Sequence, residues 1–209
     1  MILTDGIDFE SVVPECVWLC MENTGQSCNA GTRLLVPESL HDKVVDIAKK
    51  TAESYIVGDP TDEATQIGPL ANRAQFEKVM GILEDAEVAG LLPVLGGSES
   101  IPRCNEGYYI QPTIFSNLSR DQIIANQEVF GPVLVVMPYK NLQEAIDIAN
   151  ETQYGLSAYI YAKDNATAEP IAQQMRCGMV HINGAPLAAE APFGGYKQPG
   201  NGREWGLYG

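Results

Sequence analysis

A chain of 209 residues can bury one substantial core, and 45% hydrophobic with 19% charged residues is ordinary for a folded domain. A net charge of −14 leaves no basic footprint for a phosphate backbone or an anionic lipid surface, which argues against nucleic-acid and membrane partners. No apolar run approaches a membrane span, and the first residues lack the basic start and apolar stretch of a signal peptide. Five cysteines without CxxC pairs, and two histidines, give little support for a zinc site or a disulfide framework. A reducing, cytoplasmic setting is expected.

In chain order, Phe9, Val12, Val13, Cys16, Val17 and Cys20 stand at the spacing of a buried helix face within 8–24, with Asp8 as a cap. Pro14 predicts a kink or a later start. Gly25 is expected to end this stretch, because glycine accepts the left-handed conformation. Cys28 would then sit on a tight connection, followed by a strand at Leu34–Val36 and a helix over 38–54.

Residues 57–71 read as a surface loop by their Gly, Pro and Asp content, and 72–89 as a helix. Leu91–Leu95 is strand-like. Residues 98–107 read as a polar loop containing Cys104. Tyr108–Phe115 reads as a strand whose proline favours an edge position. Strands are expected at Val133–Met137, Ser157–Ala162 and Met179–Ile182. Helices are expected at 141–151, opened by an Asn141/Glu144 capping pair, and at 165–176. From 183 the chain is rich in glycine and proline. Strands alternating with helices predict an α/β fold of three layers, a mostly parallel sheet with helices on both faces. The general rule for such sheets places ligands at the carboxyl ends of the strands.

Three loops carry chemistry-bearing wording: Gly25-Gln26-Ser27-Cys28, Asn126-Gln127-Glu128-Val129-Phe130-Gly131-Pro132, and Pro192-Phe193-Gly194-Gly195-Tyr196-Lys197. Together with 57–60, 67–70 and Gly202-Arg203-Glu204-Trp205-Gly206, they resemble the signature segments of the NAD(P)-dependent aldehyde dehydrogenase superfamily, in order and across the chain. The resemblance implies that Cys28 is the nucleophile that adds to a small aldehyde, giving a thiohemiacetal and then a thioester. It implies that the Glu128 carboxylate accepts from the nicotinamide ribose hydroxyls, that Phe130 packs beside the nicotinamide, and that Phe193 walls the aldehyde pocket. The resemblance implies NAD or NADP as the parent enzyme's cofactor, not expected to be held tightly by this chain alone, and a homo-oligomeric parent enzyme.

Apart from the resemblance, a free cysteine is more often a small buried hydrophobe, which is the expectation for Cys16 and Cys20. Cys104 and Cys177 have no motif around them. The family's cofactor-binding domain, its glutamate base and its closing strand would lie outside residues 1–209. The chain is therefore expected to be the cysteine-bearing catalytic domain of such an enzyme, inactive alone as a dehydrogenase. Two other readings stand beside it: a non-enzymatic binding or oligomerisation module, and a weak Cys28-dependent esterase.

Overall fold

The computed structural model describes residues 1–101 and 106–209. Six strands form one sheet in the order β3-β4-β2-β1-β5-β6: β1 (Ile2–Leu3), β2 (Arg33–Pro37), β3 (Thr113–Ser116), β4 (Val133–Tyr139), β5 (Ser157–Tyr161) and β6 (Met179–Ile182). Every pairing between these strands is parallel. The helices are α1 (Phe9–Met21), α2 (His41–Glu53), α3 (Arg73–Val88), the short α4 (Ile123–Asn126), α5 (Leu142–Glu151) and α6 (Asn165–Ala172).

Side chains alternate across the pleat, so each strand feeds two cores. Leu34, Val36, Leu134 and Val136 pack with Val13, Val17 and Cys20 of α1 and Val44 and Ala48 of α2. Leu35, Val133, Val135 and Met137 pack on the other face with Val79 and Leu83 of α3, Ala145 and Ile146 of α5 and Ile171 of α6. The result is the three-layer α/β arrangement that the strand–helix alternation predicts.

Several details differ from the sequence reading, among them the strand expected at Tyr108–Phe115, which runs only from Thr113 to Ser116. The first helix starts at Phe9 and runs through Pro14 without a break, ending at Met21 ahead of a 3-10 turn over Glu22–Gly25. Pro14 removes a bond to the carbonyl of Glu10, an exposed residue where water can replace it. Leu91–Leu95 is not a strand: Pro93 interrupts it, and only Leu95 bridges, antiparallel, to Ile114. The last helix ends at Ala172 rather than 176. Strand β1 was not read from the sequence, and Cys104 lies outside the described residues.

Candidate active site

Helix α1 delivers the chain to the first loop under unusual backbone constraint. Asn23 and Thr24 take φ values of 52° and 57°, and Gly25 has φ 70°. A Cβ on Gly25 would run into the carbonyl of Gly131, so only glycine lets the cysteine loop and the Glu128–Pro132 loop touch here. The Thr24 hydroxyl donates to the Gly68 carbonyl (3.1 Å), and Gln26 Oε1 accepts from the Ala71 N–H (2.9 Å). Gln75 Nε2 donates to the carbonyls of Val129 (3.1 Å) and Phe130 (2.8 Å), the latter residue itself at φ 56°. Side-chain to backbone hydrogen bonds thus tie four sequence segments together around the cysteine loop.

Cys28 occupies a turn closed by the Ala30 N–H donating to the Ser27 carbonyl (3.0 Å), and its side chain is exposed. Among the described residues, no acceptor in the chain pairs with the Cys28 backbone N–H. The other described thiols differ. Burial pushes Cys16 and Cys20 up to about 12, and the Cys20 thiol donates to the Val133 carbonyl at 3.3 Å. Cys177 is half-buried, raised by burial, and donates to the Met179 carbonyl (3.1 Å). A thiolate nucleophile needs exposure, and Cys28 has it where these three do not.

The third loop is clamped from both ends. Phe193 and Glu204 exchange two backbone hydrogen bonds (2.6 and 2.9 Å), and the Phe193 ring lies 5.1 Å from that of Trp205. Lys197 Nζ donates to the carbonyls of Asn150 (3.0 Å) and Thr152 (3.1 Å), at the negative end of α5. Arg33 Nη2 caps the same helix through the carbonyls of Ile148 and Ala149, both at 3.2 Å.

One cavity of about 730 Å³ opens between these loops, and Cys28, Glu128, Phe130 and Phe193 all line it. All four candidate residues are brought together. Glu128 is exposed on its wall, an acceptor-only group when ionised, and Phe130 and Phe193 are half-buried beside it. The cavity lies at the amino ends of the strands: its lining includes Arg33, Val133 and Ser157, the first residues of β2, β4 and β5. The carboxyl-end expectation therefore fails, because the cysteine and glutamate loops precede their strands instead of following them. The sequence reading assigned no part to Thr24, Gln26, Gln75 or Tyr159. Gln26 was visible within its motif; the others make contacts far apart in the chain and left no local signal.

The chain belongs to the aldehyde dehydrogenase family, whose sequence model matches residues 1–209. It is 47% identical over 208 residues to a 3-succinoylsemialdehyde-pyridine dehydrogenase of a Pseudomonas species, covering all of this chain and 44% of that protein. It superposes with a TM-score of 0.96 and 40% identity on an alanine variant of aldehyde dehydrogenase C from Pseudomonas syringae, complexed with NAD+ and octanal. That match covers 99% of this chain and 43% of the other. A Mycobacterium tuberculosis aldehyde dehydrogenase complexed with NAD+ gives 0.94 and 36%, over 98% and 42% of the two chains. The chain thus spans less than half the length of these relatives.

Proposed function

We propose that residues 1–209 form the cysteine-bearing part of an NAD(P)-dependent aldehyde dehydrogenase, with Cys28 as nucleophile. The observation that carries this reading is the shared cavity, which collects an exposed thiol, a carboxylate and two aromatic rings from three loops. The Cys28 thiolate adds to the aldehyde carbon, and the carbonyl electron pair moves to oxygen. The Cys28 N–H, which has no acceptor within the described chain, would donate to that oxygen. Sulfur suits the task because it attacks as an anion and can later leave from a thioester.

The residues present fit the nicotinamide end of NAD(P)+. The Glu128 carboxylate can accept from a ribose diol, and the Phe130 ring, fixed by its left-handed backbone and by Gln75, offers an apolar flank. NAD(P)+, when bound, supplies the hydride acceptor. Phe193, braced by Trp205, limits water around the carbonyl until oxidation is complete.

The test is a chimera in which this chain replaces the corresponding part of the 47%-identical Pseudomonas enzyme. NADH formation is expected, falling by more than about a thousandfold in Cys28→Ala while cofactor binding persists. A chimera that binds NAD+ and keeps its rate without the thiol would remove the proposal.

A further inference from the structure

The turn that presents Cys28 is fastened to the sheet by one side chain from the opposite end of the sequence. Tyr159, in β5, donates its hydroxyl to the backbone carbonyl of Asn29 at 2.8 Å, and the Asn29 amide reaches back to the same hydroxyl at 3.4 Å. Asn29 is the residue after Cys28, at the corner of the Ser27–Ala30 turn. The Tyr159 residue is 7% exposed, so its hydroxyl reaches the turn from inside the core.

The ring is itself held. His181 is paired with Tyr159 in the β5–β6 register, and the two rings stack at 4.8 Å with an interplanar angle of 17°. His181 Nδ1 lies 3.0 Å from the Ala185 carbonyl, which can only accept, so Nδ1 carries the hydrogen. His181 is 8% exposed and its Nε2 is buried without a partner among the described residues, so the imidazole meets Tyr159 through its flat face, in an orientation that Ala185 sets. The contacts run in series from Ala185 to His181, to Tyr159, to Asn29, and so to the nucleophile.

We infer that Tyr159 is a positioning residue for Cys28: its hydroxyl fixes the turn so that the sulfur and the Cys28 N–H face the same point in the cavity, and His181 keeps the ring in place. This rests on Cys28 being the nucleophile. Reaction at an exposed sulfur needs no such alignment. Addition to an aldehyde does, because the forming alkoxide must meet a donor already in place.

The test uses the full chain and reads two reactivities of Cys28: alkylation by iodoacetamide, and reversible addition to carbon-13-labelled propanal. In the addition, the thiolate sulfur bonds to the carbonyl carbon, the carbon–oxygen π pair moves to oxygen, and oxygen takes a proton from water. Nothing is oxidised or reduced. Tyr159→Phe keeps the ring and deletes only the hydroxyl. It is expected to lower the addition equilibrium about fivefold, the worth of one hydrogen bond, with alkylation kept within about twofold. His181→Ala, which removes the stacking ring, should do the same.

Amide hydrogen exchange at residues 27–32 should quicken in Tyr159→Phe and His181→Ala. Addition unchanged in Tyr159→Phe overturns the inference, and so do addition and alkylation falling together, which would mark a general loosening. Should the unsubstituted chain add no propanal, the nucleophile reading falls. Exchange then decides the tether by itself: faster exchange upholds it, unchanged exchange removes it.

Discussion

Gly25 carries more of the site than any charged group, because two loops can meet only where it has no side chain. Its φ of 70° and the carbonyl of Gly131 together leave no room for a methyl group. Gly25→Ala is expected to destabilise the fold by at least about 3 kcal/mol, combining left-handed strain with a backbone clash. Urea denaturation measures it, and a loss below about 1 kcal/mol would show that the loops can part without harm. The second expectation at this scale concerns the thiols. Cys28 is exposed, Cys16 and Cys20 are raised to about 12 by burial, and Cys177 is raised by burial and bonded. Limiting iodoacetamide at pH 8 should label Cys28 first by mass spectrometry; earlier labelling of Cys104 or Cys177 would contradict the assignment.

Helix α1 joins the site to the core, and its inward thiols tie stability to pH. Cys16 and Cys20 titrate at about 12 when folded and near 9 when unfolded. The folded state therefore holds these protons more tightly, its advantage is complete below pH 9, and it is lost as pH rises from 9 through 12. Between pH 8 and 10.5 the pair should cost roughly 4 kcal/mol, at about 1.4 kcal/mol per unit for each ionised thiol. Urea curves at the two values should show it. The Cys16→Ala, Cys20→Ala double variant, weaker at pH 8, should lose much less over the interval; an equal loss would place the alkaline sensitivity elsewhere. What the sequence could show of the elements follows from locality. Helix α5 was legible because Asn141 Oδ1 accepts from the Glu144 N–H (3.0 Å) within one turn. Strand β1 was not, since two residues have no period, although they pair with both β2 and β5. Leu91–Leu95 misled because apolar content alone does not reveal how Pro93 directs the chain. Cys28, Glu128 and Phe193 were legible through their short motifs. The Tyr159–Asn29 bond was not, because its partners stand 130 positions apart.

The whole molecule places its cavity on the amino edge of a parallel sheet, where loops entering β2, β4 and β5 converge. This geometry brings Cys28 and Glu128, the proposed nucleophile and ribose acceptor, to one cavity within a single stretch of chain. Under the proposed function Glu128 and Phe130 hold only the nicotinamide end of a dinucleotide, and this chain spans 44% of its 47%-identical relative, so most contacts along the cofactor are expected from the rest of such a protein. Precise placement of two reactants is worth roughly 7–11 kcal/mol of a barrier, so losing most of the cofactor's contacts should remove nearly all of the rate. The chain alone is therefore expected to form no measurable NADH from an aldehyde and NAD+, even while Cys28 remains alkylatable. Absorbance at the NADH band, followed with purified chain and with its Cys28→Ala variant, decides the matter. Turnover near that of the full-length relatives, abolished by the substitution, would mean that this half of the fold positions the cofactor unaided, and the division of labour argued from the cavity would have to be redrawn.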